Sequence, residues 1–230
     1  MTSFNANNGS GTIAPIGGET GKSIALPASG FSRGGKILAG WNTQAGGGTA
    51  CALGASRTIN GSAVLYAVRA WTNAGTTGDP PLIYDAAGLA EITNDNTAHY
   101  KLENGISISG TWKSPCDAPY TFMGTFDGNG HTVHFNSVTI TGPDTGEAGF
   151  GLFGNMTQPG VIENLKAAGN ISATRTGRGS RFYPGGIAGW TSQTPPPTIQ
   201  NRVSAVDVTA EGEQSPGSRT NLLCSYKCVI

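Results

Sequence analysis

Residues 122–135 decide the fold, and they read Phe-Met-Gly-Thr-Phe-Asp-Gly-Asn-Gly-His-Thr-Val-His-Phe. Val-Thr-Ile follows at residues 138–140, and Gly-Leu-Phe-Gly follows at residues 151–154. Runs of β-branched and aromatic residues that alternate with glycine turns are typical of short strands joined by tight turns. The stretch therefore predicts the first strands of a β structure that continues downstream.

The second half of this stretch recurs further along the chain. Three segments each resemble a segment 35 to 37 residues later: residues 151–154 resemble 186–189, residues 162–164 resemble 199–201, and residues 166–173 resemble 203–210. A period of this length is typical of stacked repeats, in which each unit covers the apolar face of its neighbour. The sequence therefore predicts a stack of β units over the C-terminal part of the chain.

Composition favours an all-β protein. Only 12% of the 230 residues are charged, against roughly 25% in ordinary soluble domains, and 36 residues are glycine. Low charge together with abundant glycine, serine, threonine and asparagine favours many short strands and tight turns. The formal net charge is zero and no basic run occurs, so we expect no nucleic-acid partner.

The sequence carries no membrane or export signal. No apolar run approaches the roughly 20 residues that span a bilayer, and the N-terminus lacks the charged and apolar regions of a signal peptide. We therefore expect either a cytoplasmic chain or a piece of a longer exported protein. The cysteines, Cys51, Cys116, Cys224 and Cys228, fit no zinc-binding spacing. We expect four unpaired thiols, no metal and no cofactor.

Residues 1–71 read as one unit. Three segments mark it: Phe4-Asn-Ala-Asn7, Gly40-Trp-Asn-Thr43 and Leu65-Tyr-Ala-Val68. In this order they resemble the internalin-type B repeat, also called the Listeria–Bacteroides repeat. The resemblance implies a small β-grasp-like module that serves as a spacer or binding repeat in surface proteins. The residues expected in its core are Phe31, Trp41, Leu65 and Tyr66.

A second resemblance covers about residues 85–210. Tyr100-Lys-Leu-Glu-Asn-Gly-Ile106, residues 124–132 and Gly151-Leu-Phe-Gly154 follow the order of the GLUG-motif repeats of bacterial surface proteins, including the β-solenoid regions of IgA-protease-like polypeptides. The resemblance implies a β-helix-like stack with a helix over its N-terminal end. We predict this helix at residues 86–94, with Asp85 as its N-cap, and one half-buried strand at residues 100–109.

The predicted fold class is all-β, and four regions follow from it. They are a β-grasp-like repeat module at 1–71, a linker at 72–85, a β-helix-like solenoid with a short capping helix at 86–214, and an irregular tail at 215–230. The tail stands where another Gly-x-x-Gly segment is expected, so we interpret it as truncated or frame-shifted. An uncapped last strand presents unpaired backbone groups, which favours end-to-end self-association.

The segment made of Asp127, Gly128, Asn129 and Gly130 has the residue types of a metal or catalytic site. They are also the residues of a tight turn, in which Asp and Asn bond nearby backbone and Gly supplies a positive φ. The two histidines that follow lie three residues apart on an extended segment, so their side chains face opposite sides. We interpret the segment as a structural turn.

The candidates for catalysis are Ser32, Asp127 and Glu163. Ser32 lies in Gly30-Phe-Ser-Arg-Gly34, which matches a hydrolase nucleophile elbow but lacks the long helix that must follow it. Asp127 and Glu163 belong to the predicted stack, and glycan-cleaving β-helices place acids in such stacks. Glu163 and Asp207 lie 44 residues apart, off the repeat period, so we do not expect them to form a pair.

The candidate binding surface consists of Arg181, Tyr183 and Trp190. Aromatic ring faces suit sugars, although the same residues also fit an ordinary core or surface. We expect a non-catalytic fragment of a bacterial cell-surface adhesin or repeat protein, extracellular in its parent. Its partner is then a host or cell-wall glycan or protein. The alternative is a hydrolase acting on glycans or esters, and a third option is a stalk that binds nothing.

Overall fold

The computed structural model describes residues 1–45, 49–141, 148–175, 182–191 and 195–212, and the chain divides into two compact units, Met1–Ala74 and Gly75–Ile230. We call these the N-terminal and the C-terminal unit. Both are built mainly of strands, as an all-β protein requires, and the described residues include one short α-helix, in the C-terminal unit. Arg181, Cys224, Cys228 and the predicted tail lie outside the described residues.

The N-terminal unit contains a three-stranded and a two-stranded sheet. Its strands are β1 (Thr2–Asn5), β2 (Ser23–Ala25), β3 (Lys36–Asn42), β4 (Ser56–Thr58) and β5 (Ala63–Trp71). Strand β5 lies in the centre of the larger sheet, parallel to β1 and antiparallel to β3. Strands β2 and β4 form a separate antiparallel ribbon.

Trp41 is the centre of the core of the N-terminal unit. Its side chain is fully buried, and the rings of Phe4 and Phe31 contact it edge-on with centroids 5.0 and 5.9 Å away. Its indole Nε1 donates a hydrogen bond to the carbonyl of Pro27 at 3.0 Å, so the polar edge of the ring is satisfied. Tyr66, which the sequence places in this core, is half-buried, because side chains alternate along β5 and Leu65 takes the inner face.

The C-terminal unit consists of short strands and one capped helix. Its elements are β6 (Leu82–Ile83), α1 (Ala86–Ala90), a 3₁₀ helix (Glu91–Asp95), β7 (His99–Leu102), β8 (Ile106–Thr111), β9 (Thr125–Asp127), β10 (Thr132–Thr141), β11 (Ala148–Phe150), β12 (Phe153–Met156), β13 (Val161–Glu163), β14 (Lys166–Arg175), β15 (Phe182–Pro184), β16 (Ala188–Thr191), β17 (Thr198–Gln200) and β18 (Val203–Gly212).

Within its described ranges, the strand pairs of the C-terminal unit are parallel, and they join successive segments of the chain. The first sheet has the order β17-β13-β9-β7-β6, and the second sheet has the order β18-β14-β10-β8. Two further pairs are β12 with β16 and β11 with β15. Residues that the sequence repeat places in equivalent positions are paired directly in the sheets. Ile162 pairs with Ile199, and Lys166 pairs with Val203.

Each segment of the C-terminal unit that pairs in parallel with the next is called a rung. Large apolar side chains from successive rungs fill the interior of this unit. Tyr100, Phe126 and Ile162 occupy one register row on the inner side of the first sheet, and all three are almost fully buried. Phe153 packs against Phe126 with ring centroids 5.2 Å apart. Burial of one such side chain contributes about 1.5–3 kcal/mol, so each rung adds its own share of core.

Helix α1 begins where the sequence predicts it. The side chain of Asp85 accepts a hydrogen bond from the N–H of Gly88 at 2.6 Å, which satisfies one free donor of the first turn. The α-helix ends at Ala90 and continues as a 3₁₀ helix, so the predicted helix at 86–94 is in fact a composite of two short pieces. Leu89 and Ile92 are fully buried on its inner side.

Two sequence expectations differ from the structure. The expected linker at 72–85 contributes β6, which pairs with β7, and the carbonyl of Gly75 accepts the N–H of His99 at 2.9 Å. The single strand expected at 100–109 is two strands, β7 and β8, that belong to different sheets. The chain turns between them at Asn104, whose side-chain amide donates to the carbonyl of Tyr84 at 2.8 Å.

Asparagines form the turn between the first and second sheets on successive rungs. Asn129, Asn164 and Asn201 follow strands β9, β13 and β17, and their φ angles are 50°, 52° and 47°. Asparagine tolerates this left-handed conformation better than most residues. The amide of Asn164 donates to Asp127 Oδ1 at 3.0 Å, and the amide of Asn201 donates to Asn164 Oδ1 at 3.4 Å. The turns therefore bond to one another along the stack.

The Gly-x-x-Gly segments let two layers of backbone lie in direct contact. A Cβ added to Gly151 would lie 2.6 Å from the carbonyl oxygen of Gly185, and one added to Gly154 would lie 2.9 Å from the Cα of Asp117. A Cβ on Gly189 would lie 2.5 Å from the carbonyl oxygen of Tyr183. Glycine is required at these positions because no side chain fits between the layers.

Candidate functional site

The segment from Asp127 to Gly130 is a hydrogen-bonded turn. Asp127 Oδ1 accepts the N–H of Asn129 at 2.8 Å and the side-chain amide of Asn164 at 3.0 Å. Gly128 donates its N–H to the carbonyl of Glu163 at 2.8 Å, and Gly130 has a φ of 75°. One oxygen of the Asp127 carboxylate therefore holds the turn in place through hydrogen bonds.

The structure brings Asp127 and Glu163 together on the outside of the first sheet. They are register partners on β9 and β13, and the same row continues to Lys101 on one side and Gln200 on the other. Gln200 Nε2 donates to Glu163 Oε2 at 2.9 Å. We call these four residues the charged row. It presents one cation, two carboxylates and an amide at the spacing of adjacent strands, about 4.8 Å.

Sequence reasoning missed this pair although the signal was present. Asp127 and Glu163 lie 36 residues apart, within the repeat period, whereas the comparison made from the sequence was between Glu163 and Asp207. Asp207 pairs with Asn170 on the second sheet, so it is indeed separate from Glu163. Comparison of every acidic residue with the residues one repeat period later in the sequence identifies the pair.

Ser32 lacks the surroundings of a hydrolase nucleophile. Its hydroxyl lies 3.0 Å from the hydroxyl of Ser10, and the two residues also pair through their backbones. Strand β3 follows Gly34, where the nucleophile elbow needs a helix. Residues 1–74 contain no histidine and one acidic residue, Glu19, so this unit supplies no base–acid relay for Ser32.

Tyr183 and Trp190 form a stacked aromatic pair. Their ring centroids are 6.1 Å apart with planes inclined by 20°, and both side chains are half-buried. Trp190 is the register partner of Asn155, a buried residue whose amide accepts the N–H of Gly149 at 3.2 Å and donates to the carbonyl of Tyr120 at 3.3 Å. Arg181, the third residue of the expected surface, lies outside the described residues.

Two residues that sequence reasoning did not connect with this pair lie on the neighbouring rung. Asp117 follows Cys116, whose carbonyl accepts the N–H of Asn155 at 2.9 Å. Burial raises the pKa of the Asp117 carboxyl above its usual range, although the N–H of Ala118 and the charge of Lys113 act in the opposite direction.

Tyr120 is the other residue, and its side chain is 54% exposed. We call Asp117, Tyr120, Tyr183 and Trp190 the aromatic surface, and the buried Asn155 joins the backbone segments that carry it. The surface combines ring faces with a carboxyl group, and carbohydrate and protein partners commonly contact both.

The outer face of the second sheet carries a row of hydroxyl groups. Its members are register partners on four successive strands and all are exposed: Thr111, Thr139, Ser172 and Thr209. The row is uncharged, and its three threonine side chains have few rotamers. The two outer faces of the unit thus differ in chemistry.

The described cysteines are free thiols. Cys51 is half-buried and Cys116 is fully buried. Burial raises the pKa of the Cys116 thiol to about 12, although the hydroxyl of Thr93 acts in the opposite direction. A thiol with this pKa is unreactive at neutral pH, so Cys116 has a packing role.

No group of three or more metal-binding side chains occurs within the part of the chain that the structure describes. In the same ranges, no helix has the length and apolar character that crossing a bilayer requires.

Comparison with known proteins gives two matches. The sequence model of the Listeria–Bacteroides repeat domain matches residues 1–68, nearly the whole N-terminal unit. Halomucin of Haloquadratum walsbyi (strain DSM 16790 / HBSQ001) is 32% identical over 128 residues, which is 49% of this chain and 1% of halomucin. The chain therefore spans a very small part of that relative. No solved structure matches the chain.

Proposed function

We propose that this chain is a non-catalytic segment of a cell-surface repeat protein, with a spacer module followed by a β-solenoid of the GLUG type that presents an extended binding surface. The observation that carries the proposal is the parallel register between segments 33 to 37 residues apart, which aligns outward side chains of successive rungs into rows. Such rows are long and regular, as a surface that binds an extended partner needs to be.

Both matches fit a repeat protein of the cell surface. The matched repeat domain covers the spacer module, and halomucin is a relative of about half of the chain. An extracellular position in the parent protein follows from this proposal. Labelling of intact cells that express the parent, with an antibody against the purified chain, tests that position.

The partner of the aromatic surface is a glycan or a protein, and binding assays separate the two. The full chain is applied to an array of neutral and acidic glycans and to immobilised collagen and fibronectin. We expect Trp190→Ala to reduce binding several-fold, because a stacked aromatic contact contributes about 0.5–1.5 kcal/mol beyond its area. Trp190→Phe keeps a ring at the same place and serves as the matched control.

Two results would count against the aromatic surface. Equal binding by the wild type and Trp190→Ala would place the contact elsewhere, and the charged row is then the next surface to test. Signals at background on every glycan and protein would favour a stalk that binds nothing.

A second candidate function rests on the charged row. Asp127 and Glu163 are register partners on neighbouring strands, so their side chains leave the same face of the first sheet. Retaining glycosidases likewise use two carboxyl groups close together, about 5–5.5 Å apart. Asp127 holds one oxygen in the turn, as a fixed nucleophile requires, and Glu163 would be the acid. This arrangement supports hydrolysis of glycans better than Ser32 supports hydrolysis of esters.

A panel of glycosides and esters tests the hydrolase candidate. Turnover that Asp127→Asn or Glu163→Gln abolishes, and that the exposed control Asp207→Asn leaves intact, would replace the non-catalytic proposal. Turnover of esters that Ser32→Ala abolishes would point to Ser32 instead. We expect no turnover above background.

A further inference from the structure

The chain contains four Asn-Gly dipeptides, and they differ in the hydrogen bonds that restrain them. They are Asn8-Gly9, Asn60-Gly61, Asn104-Gly105 and Asn129-Gly130. An asparagine before glycine is prone to deamidation, because glycine places no side chain in the way of its own backbone nitrogen when that nitrogen approaches the asparagine amide carbon. The reaction needs both the side-chain amide and the following N–H to move freely.

Three of the four dipeptides are held by hydrogen bonds. The N–H of Gly9 donates to the carbonyl of Ala6 at 2.9 Å. The amide of Asn104 donates to the carbonyl of Tyr84 at 2.8 Å.

Asn129 is held at both ends, since its amide donates to the carbonyl of Leu102 at 3.1 Å and the N–H of Gly130 donates to the carbonyl of Asn164 at 2.8 Å. In each of these three dipeptides, a hydrogen bond holds the side-chain amide, the following N–H, or both.

Asn60-Gly61 has neither restraint. Asn60 is exposed, and among the described residues neither its side-chain amide nor the N–H of Gly61 has a hydrogen-bond partner. Gly61 has a φ of 136°, and nothing lies within 4 Å of the position that a Cβ would take. The dipeptide stands in the loop between β4 and β5, a place where backbone moves easily.

We propose that Asn60 is a site of spontaneous deamidation in the folded protein. The backbone nitrogen of Gly61 attacks the side-chain Cγ of Asn60 and forms a five-membered succinimide. The C–N bond of the amide breaks, and ammonia leaves with the proton from the Gly61 nitrogen. Water then opens the ring at either carbonyl, which yields aspartate or isoaspartate.

The modification changes both charge and backbone. Residues 1–74 contain five basic residues and one acidic residue, so a new carboxylate at position 60 lowers the net charge of the unit from +4 to +3. Isoaspartate adds one methylene to the main chain three residues before Ala63, which pairs with Thr2 at the start of β5. The product therefore alters the turn that leads into the central strand.

Asn8 supplies a matched control within the same molecule. Asn8-Gly9-Ser10 and Asn60-Gly61-Ser62 have the same tripeptide sequence, so a difference in their rates comes from structure. The full chain is incubated at mildly alkaline pH, sampled over days and mapped by peptide mass spectrometry. We expect Asn60 to convert at least several-fold faster than Asn8, Asn104 or Asn129.

Incubation in concentrated urea completes the test. Without hydrogen bonds, Asn8 and Asn60 are expected to convert at equal rates, and Gly61→Ala is expected to slow Asn60 in both conditions. Native conversion of Asn60 no faster than that of Asn8 would overturn the proposal. A rate difference that persists unchanged in urea would also overturn it, because the folded structure would then play no part.

Discussion

At the scale of single residues, large aromatic side chains set the stability of each unit. Trp41 is the clearest case, since its ring is fully buried between Phe4 and Phe31 and its one polar atom is bonded to Pro27. Removal of the ring therefore leaves a cavity in the core of the N-terminal unit.

Trp41→Ala is expected to destabilise the N-terminal unit by about 3–5 kcal/mol, because the change removes buried area and leaves a cavity. Urea unfolding followed by circular dichroism measures the loss. Ile37→Ala on the same strand is the control, since Ile37 is 56% exposed and its truncation should cost less than about 0.5 kcal/mol. Similar losses for both variants would show that Trp41 is not central.

Asp117 gives a pH dependence with a definite sign. Its pKa is raised in the folded state, so the folded state binds the proton more tightly than the unfolded chain. The contribution of Asp117 to the free energy of unfolding is therefore fully present below its ordinary pKa of about 3.9, and it is lost as the pH rises through the raised value.

Asp117→Asn should remove this loss, because an amide does not titrate and its oxygen still accepts the N–H of Ala118. We expect the variant to lose less stability than the wild type between about pH 3 and pH 7. The measurement is the difference between the two proteins in urea unfolding at each pH. A constant difference would mean that the Asp117 pKa is not raised.

At the scale of elements, the asparagine turns connect one rung to the next. Asn164 contributes in two ways, through its positive φ and through the bonds that its amide makes with Asp127 and Asn201. These contributions are separable by substitution, because glycine keeps the conformation and loses only the amide.

Asn164→Gly is expected to cost about 0.5–1.5 kcal/mol for the lost hydrogen bonds. Asn164→Ala should cost roughly 1–2 kcal/mol more, because alanine disfavours the left-handed conformation. Thermal or urea unfolding of the full chain ranks the two variants. If alanine proved as well tolerated as glycine, the backbone conformation of this turn would not be limiting.

The sequence predicted the elements that depend on local patterns and on the period. The Asp85 cap, the core position of Trp41 and the pairing of Ile162 with Ile199 follow from residue types and offsets. The break of one strand at Asn104 was missed, because both halves show the same alternation of buried residues and only the position of the neighbouring rung reveals the turn.

The candidate site was less predictable than the fold. Tyr183 and Trp190 were named from their residue types, and the structure stacks them. Asp127 and Glu163 were named separately, and only the parallel register makes them neighbours. Residues 72–85 read as a linker because of their prolines and glycines, yet the apolar pair in β6 adds a strand to the first sheet.

At the scale of the whole molecule, the two units have opposite net charges that the neutral total hides. Residues 1–74 contain five basic residues and one acidic residue, whereas residues 75–230 contain nine basic and thirteen acidic residues. The net charges are therefore +4 and −4. Each unit also has its own buried core.

A fragment of residues 1–74 is expected to fold alone and to bind a cation exchanger at neutral pH, while a fragment of residues 75–230 should bind an anion exchanger. Cooperative urea unfolding of the first fragment, abolished or strongly weakened by Trp41→Ala, is the expected result. Unfolding without a cooperative transition would show that residues 1–74 depend on the rest of the chain.

The register of the C-terminal unit lets its rows of outward side chains lengthen or shorten by whole repeats. Loss or gain of one complete segment of 36 or 37 residues keeps the parallel pairing of the strands and alters the number of positions in each row. A partner that contacts several rungs at once then gains or loses one contact position at a time, and its avidity changes in steps. The number of repeats therefore sets the length of the binding surface.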